Sequence, residues 1–284
     1  MAERIPLTVV KCGGSGAVDP VAVCADVAAL VGQGERVVLT HGGSAEVERL
    51  AARLGVPQRR LSTPDGRSSR YTDAATLEVL TLAMAGLIKP KILAELGRSG
   101  VRAVGLTGID AGLLRARRRS VHRAVVDGRS VLVRDDHTGR LAEVDPEPLR
   151  VLLDAGLTPV VSPPALAEDG GPVNVDADRA AAAIAIALSA TRLVFLTATP
   201  GLLRDPADET SLLCEFRLPA NGFAGVPVAG GMAVKLIAAR DALAAGVPYV
   251  AIGDGRLPGG LSAALDGGGT RVRCEPLPVT SLGE

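Results

Sequence analysis

The chain has no tryptophan, three phenylalanines and two tyrosines among 284 residues. Its core must therefore be built from alanine, valine and leucine. It has only three histidines, His41, His122 and His137, which are scattered, and no nucleophile–histidine pair stands out. Its four cysteines (12, 24, 214 and 274) are widely spaced without a CxxC pair, which argues against a disulfide framework or a zinc site and for a reducing compartment. No apolar run nears the roughly 20 residues needed to span a bilayer. The N-terminus lacks the apolar stretch of a signal peptide, so a soluble, cytoplasmic protein is expected. Lysine plus arginine and aspartate plus glutamate both count 31, and this balance lacks the basic excess of a general nucleic-acid binder. Two phosphate-binding signatures are also missing: GxxxxGK followed by Ser or Thr, and GxGxxG.

What is present is a chain 47% hydrophobic, with 34 glycines and 19 prolines, able to bury a sizeable core between tight turns. The zero net charge hides an asymmetry: residues 115–134 carry seven arginines against one acid, Asp127. Such a basic cluster suits an acidic partner or an anionic substrate, the plainer reading being a solvated hairpin.

Strand-like and helix-like segments alternate. Leu7–Val10, Arg36–Thr40, Val101–Leu106, Thr158–Val161, Leu193–Thr197, Tyr249–Ile252 and Arg271–Cys274 read as strands. Helices are predicted over Pro20–Leu30, Ala45–Leu54, from Asp73 onward with Thr72 as N-cap, Pro146–Ala155, Asp176–Ser189 and Gly230–Ala245. Ser62–Arg70 reads as a polar loop and 200–228 as irregular. Valines on both sides of Asp127-Gly128 predict a hairpin, followed by a second turn at Asp136-His137-Thr138-Gly139. The alternation predicts a mainly parallel sheet covered on both faces, with ligands at the carboxyl ends of strands. A lobe boundary near residue 190 is expected.

Four segments suit phosphoryl transfer, in which the protein mainly positions and neutralises charge. Lys11-Cys12-Gly13-Gly14 follows the first strand; glycines expose backbone N–H groups to an anion, and Lys11 adds charge. Cys12 reads as a small packed residue. His41-Gly42-Gly43-Ser44 opens a helix, where a second cradle would form; His41 reads as shaping this loop rather than acting as a base. Asn174-Val175-Asp176-Ala177-Asp178 opens the alanine-rich helix, with Asn174 offering an amide and Asp178 able to orient lysines or a metal. Gly230-Gly231-Met232-Ala233-Val234-Lys235 supplies a second lysine at another helix start. Each segment alone also reads as an ordinary turn, helix start or surface lysine.

Taken in order and spacing, KCGG (11–14), HGGS (41–44), SRYTD (69–73), NVDAD (174–178), LTATPGLL (196–203) and GGMAVK (230–235) resemble the amino acid kinase family, within it the N-acetylglutamate kinase group, over nearly the whole chain. The resemblance implies an α/β fold, a three-layer αβα sandwich around a mainly parallel sheet. It implies an N-terminal lobe (1–190) for the acyl acceptor and dimerisation, and a C-terminal lobe (191–284) for ATP. The implied reaction moves the γ-phosphoryl group of ATP to a side-chain carboxylate. Lys11 and Lys235 match the lysines that stabilise the transferred group, and Asp178 the aspartate that organises them. Gly42, Gly43 and Ser44, with Arg70 and Asn174, fall at acceptor-binding positions. Gly13, Gly14, Thr197, Gly201, Leu202, Gly231 and Met232 fall at nucleotide-binding positions. No dedicated protein metal site is implied, Mg²⁺ arriving with ATP.

HGGSAE and the segment Ser62-Thr63-Pro64-Asp65-Gly66 ahead of SRYTD are similar to kinases whose 2-aminoadipate or glutamate substrate is attached to a small acidic amino-group carrier protein. On that resemblance Arg115, Arg117, Arg118, Arg119 and Arg123 would dock the carrier. An N-acetylglutamate kinase of arginine biosynthesis, and a silent carrier-binding regulator, are the alternatives. Two positions depart from the family pattern: Ala198 where Asp or Asn is usual, and Gly231 where the carrier-dependent branch often has Arg.

Overall fold

The computed structural model describes residues 5–62, 68–119, 121–126, 129–219, 222–223 and 226–275. Strands β1 (Leu7–Cys12) and β2 (Arg36–His41) flank helix α1 (Pro20–Gly32), and α2 (Ser44–Leu54) follows. Two short strands, β3 (Arg60–Ser62) and β4 (Ser68–Arg70), take up both ends of the expected polar loop, whose residues 63–67 lie outside the described residues. They pair antiparallel, so these six residues place backbone groups in a ladder that their polar composition concealed.

The helix expected from Asp73 has three parts: α3 (Ala74–Thr81), a π-helical stretch over 82–88, and α4 (Lys89–Arg98). Its N-cap is Asp73 and not Thr72, because the Asp73 carboxylate accepts the Thr76 N–H at 2.8 Å. Pro90 has no N–H for the i→i−4 ladder, and the widened turn lies just before it. β5 (Ala103–Gly108) begins two residues later than expected. β6 (Leu114–Arg118), β7 (His122–Val126), β8 (Arg129–Val133) and β9 (Gly139–Val144) come next, then α5 (Glu147–Asp154). The β7–β8 pair is the predicted antiparallel hairpin; its turn, Asp127-Gly128, lies outside the described residues.

β10 (Thr158–Ala167) outruns its predicted length. Beyond it lie β11 (Pro172–Val173), α6 (Ala177–Ala187), β12 (Arg192–Thr197), β13 (Glu215–Leu218), α7 (Gly230–Ala244), β14 (Tyr249–Asp254), α8 (Gly260–Leu265) and β15 (Thr270–Cys274). The main sheet runs β13-β15-β14-β12-β1-β2-β10-β6-β9, with β5 and β11 also on β10. Its centre, β14-β12-β1-β2-β10-β5, is wholly parallel. A second, antiparallel sheet joins β4-β3-β7-β8.

Apolar clusters cover both faces of the main sheet. One packs β1, β2, β10 and β12 against α5, α6 and α7 through Val9, Val38, Leu149, Ile184, Phe195 and Leu236. The other packs the same strands against α1, α4 and α8 through Val10, Cys12, Val27, Ile92 and Leu261. This is the expected three-layer arrangement. Ala180, Ala181, Ala182 and Ala185 are buried, and these small side chains let α6 lie close to β1 and α7.

Candidate active site

Side chains alternate along a strand. On β1, Val9 joins the α6/α7 face and Val10 and Cys12 the opposite one, so Lys11 points toward α6 and α7. There its ammonium lies 2.7 Å from Asp178 Oδ1. Lys235, in the second turn of α7, donates to Asp178 Oδ2 at 3.2 Å. All three residues are buried. Asp178 is presented by the first turn of α6, whose N-cap Asp176 accepts the N–H groups of Asp178 and Arg179, each at 2.9 Å.

Burial disfavours the Asp178 carboxylate, but the charges of Lys11 and Lys235 outweigh it and hold its pKa below the usual carboxylate range. Burial likewise disfavours the Lys11 ammonium, yet Asp178 keeps its pKa raised. Asp176 is pushed up, by burial first and by the Asp178 charge second. Two fixed cations on one carboxylate leave an excess of positive charge, which suits an incoming anion.

The two glycine turns form one unit. A Cβ on Gly14 would stand 2.3 Å from the Gly43 nitrogen, so only glycine permits this approach. The Gly42 N–H donates to Cys12 O at 3.2 Å, the Ala45 N–H to Gly14 O at 3.0 Å and Ser44 Oγ to Gly14 O at 2.9 Å. A Cβ on Gly42 would reach the Ala177 Cβ at 3.8 Å, which places the α6 start beside the same turns. Neither α2 nor α7 has a side-chain N-cap, so side chains leave their first N–H groups to other acceptors. A Cβ on Gly231 would lie 3.8 Å from Lys235 Nζ, setting that ammonium under the first turn of α7. The structure thus brings the 11–14, 41–44, 174–178 and 230–235 segments together.

His41 donates through Nδ1–H to Gly42 O at 3.1 Å. Burial pushes its pKa down to about 4, so it is neutral near pH 7 and a weak base, as its loop-shaping assignment expects. Cys12 is packed in the core, and burial raises its thiol to about 11. It is an unreactive thiol.

Arg70 closes β4 beside the start of α2. Its guanidinium meets Gln58 Oε1, Glu48 Oε1 at 3.0 Å and Ser44 O at 3.4 Å. Asn174, just past β11, donates through Nδ2 to Thr72 Oγ1 at 3.2 Å, and Thr72 Oγ1 donates to Arg70 O at 3.4 Å. Arg70 and Asn174 are therefore joined through Thr72. Sequence reading missed Thr72 in this role because its position before a helix resembles a cap. Gln58 and Glu48 carry no local signal of it.

On the other side of the glycine turns, the Gly13 N–H donates to Leu196 O at 3.0 Å and the Gly255 N–H to Thr197 O at 2.7 Å. A Cβ on Gly201 would meet Thr270 Oγ1 at 2.5 Å, and the Leu202 N–H donates to Thr270 Oγ1 at 2.8 Å. Packing against β15 by itself accounts for these two residues. Met232 is half-buried against the α6/α7 core cluster.

The basic cluster is not one hairpin. Arg115, Arg117 and Arg118 lie on β6, paired with β9 in the main sheet, and Arg123 lies on β7. Leu114 and Ala116 turn inward, while Arg115, Arg117 and Arg119 are exposed. Arg118 is already engaged: its Nε reaches Asp169 at 2.9 Å and its Nη1 reaches His137 Nδ1 at 2.6 Å.

The family model described as "Amino acid kinase family" matches residues 6–254. The chain belongs to the amino acid kinase family. The LysW-aminoadipate kinase of Deinococcus radiodurans is 42% identical, over 94% of this chain and 92% of the relative. That of Thermus thermophilus is 37% identical, over 94% and 100%. An acetylglutamate kinase of Methanopyrus kandleri is 41% identical, over 83% and 90%. Among solved structures, the N-acetylglutamate synthase of Neisseria gonorrhoeae, complexed with coenzyme A and N-acetyl-glutamate, superposes with a TM-score of 0.75 at 28% identity. That match covers 96% of this chain but only 60% of the synthase.

Among the described residues no group of three or more His, Cys, Asp and Glu could hold a metal ion. Both Asp178 oxygens already face lysines. Among the described residues, no helix is long and apolar enough to cross a membrane.

Proposed function

We propose that the protein is an ATP-dependent kinase that phosphorylates the side-chain carboxylate of 2-aminoadipate or glutamate borne on a small acidic amino-group carrier protein. The observation that carries this reading is the buried Lys11–Asp178–Lys235 set beside two fused glycine turns. The high identity to kinases named for LysW-aminoadipate supports it.

In this reading a carboxylate oxygen of the acceptor attacks the γ-phosphorus of ATP. A P–O bond forms, the bond to the bridging oxygen breaks, and ADP leaves with that electron pair. The acceptor carboxylate is already ionised near pH 7, so no general base is required. A neutral, weakly basic His41 is consistent with that. Lys11 and Lys235 would neutralise charge on the transferred group while Asp178 fixes their positions. Gly13, Gly14 and the first turn of α7, with Gly231 and Met232, would cradle the phosphates; Thr197, Gly201 and Leu202 would border the nucleotide. Gly42, Gly43 and Ser44 would approach the acceptor, Arg70 would bind its carboxylate in a bidentate manner, and Asn174 its amide. Arg70 must then share or exchange its contact with Glu48. We place acceptor binding and dimerisation in residues 1–190 and ATP in 191–284. Mg²⁺ would arrive on the ATP phosphates, and no step is assigned to it. Exposed Arg115, Arg117, Arg119 and Arg123 would steer the acidic carrier. A soluble cytoplasmic homodimer completes the reading.

The 41% identity to an acetylglutamate kinase supports a second reading, with free N-acetylglutamate as the acceptor. An ATP-dependent hydroxamate assay, which traps acyl phosphates, separates the two. Hydroxamate with carrier-linked substrate alone supports the first reading. Efficient turnover of free N-acetylglutamate without turnover of the carrier-linked substrate supports the second. No turnover, with MgATP still bound, would return the chain to a regulatory role.

A further inference from the structure

Asp136 is buried in the turn between β8 and β9. Its Oδ1 accepts the Thr72 N–H at 3.1 Å, and its Oδ2 accepts the Thr138 hydroxyl at 2.8 Å. The turn is also spliced by backbone bonds between the two segments that carry Arg70 and Asn174. The His137 N–H donates to Thr72 O at 2.7 Å, the Asn174 N–H to His137 O at 2.8 Å and the Gly139 N–H to Asn174 O at 2.8 Å.

Two further contacts tie the turn to the basic strand. The Arg119 N–H donates to Thr138 O at 2.9 Å, and Arg118 reaches the His137 ring. Thr72 stands at the centre. Its N–H is held by Asp136, its carbonyl by His137, and its hydroxyl sits between Arg70 O and the Asn174 amide. Because Thr72 Oγ1 donates to Arg70 O, it accepts from the Asn174 nitrogen, which fixes which way that amide faces. Asn174 Oδ1 then turns away from Thr72.

We propose that Asp136 is a positioning residue for the acceptor: its carboxylate fixes Thr72, and through Thr72 it sets the Asn174 amide and the backbone that carries Arg70. The proposal rests on the kinase reading above. A buried carboxylate serves here because one side chain must accept donors from two separate segments at once. A neutral amide could still accept the Thr72 N–H through its oxygen, but it would turn its N–H toward the Thr138 hydroxyl, which must then accept instead of donate, and both bonds would lose the assistance of the charge.

The test uses the full-length protein in the hydroxamate assay, with initial rates measured over a range of acceptor and of ATP. Asp136→Asn should raise KM for the acceptor about tenfold, the cost of replacing two charge-assisted bonds by neutral ones with the Thr138 hydroxyl reversed. KM for ATP should stay within about twofold. Thr138→Val should shift the acceptor KM in the same direction by less. In an Asn174→Ala background, Asp136→Asn should lose most of its effect, because residues acting through one another are not additive. Equal rises in both KM values, an unmoved acceptor KM with a lowered Tm, or full multiplicativity with Asn174→Ala would each overturn the proposal as a purely structural role. If Asp136→Asn does not fold, Thr138→Val is decided by the same readings. A wild-type protein inactive with every acceptor overturns the kinase reading and this inference with it. Wild-type turnover with an unmoved acceptor KM in both variants overturns the inference alone.

Discussion

Gly14 lies against Gly43 so closely that a methyl group on Gly14 would stand 2.3 Å from the Gly43 nitrogen. The two turns leave different strands, β1 and β2, whose parallel register sets Cys12 beside His41. The contact fuses the turn carrying Lys11 to the turn that opens α2. Gly14→Ala must push them apart. It should reduce kcat at least about 100-fold, since shifts of the order of 1 Å at a reacting centre have that cost. The hydroxamate assay measures it, and circular dichroism should show the fold retained. Wild-type turnover would mean that the cradle tolerates separation.

Lys235→Ala should lower kcat by about 10²–10³-fold with a small change in KM, as expected for a cation that acts mainly in the transition state. Asp178→Ala should do more, because it leaves two buried cations without their carboxylate. A stability loss of about 3–5 kcal/mol is the usual cost of breaking such a pair. Steady-state kinetics and chemical denaturation read the two effects separately. A Lys235→Ala variant with unaltered kcat would remove that lysine from the chemistry.

Arg117 and Arg119 are exposed, whereas Arg118 is committed to Asp169 and His137. Charge reversal should therefore discriminate among neighbours. Arg117→Glu with Arg119→Glu should weaken kcat/KM for a carrier-linked acceptor about tenfold or more and flatten its salt dependence. Turnover of a free acyl amino acid should not change. Arg118→Glu should instead disturb the fold around the 137–139 turn, which a lowered Tm reports. Unchanged carrier kinetics in the double variant would leave β6 as a solvated edge.

Lys89 opens α4 in the core; its Nζ donates to Leu106 O at 2.5 Å. Burial pushes its pKa down to about 8, with Asp110 opposing weakly. A lysine with a lowered folded-state pKa binds its proton less well folded than unfolded. Stability is therefore reduced below pH 8 and rises as pH climbs from about 8 toward the unfolded value of 10.5. Lys89→Met should raise stability at pH 7 by on the order of 1–3 kcal/mol and remove that rise. Urea denaturation at pH 7 and pH 9.5 checks both. A destabilised variant would mean that the bond from Nζ to Leu106 O outweighs the cost of burying the charge.

The residues legible in the sequence were those whose local chemistry leaves little choice. A lysine followed by two glycines after a β-branched run, or an Asn/Asp start to an alanine-rich helix, implies its conformation within a few residues. The alternation of strand and helix likewise follows from periodicity, so the parallel centre of the sheet and its two helical layers could be read. Periodicity failed at 60–62 and 68–70, where short polar strands pair with each other, and at Pro90, where a single missing N–H reshapes the turn before it.

By itself, then, the sequence determined the layered α/β architecture, the glycine turns and the helix starts that carry Asp178 and Lys235, because steric freedom, helix starts and hydrophobic period act over short range. Tertiary structure alone decided which charges meet. Lys11, Lys235 and Asp178 meet from three separate elements, Arg118 is bound by Asp169 while Arg117 is left exposed, and Asp136 reaches Thr72 across 64 residues. Coulomb attraction and hydrogen bonding depend on distance in space, and folding sets that distance through sheet register and helix packing that no local window contains.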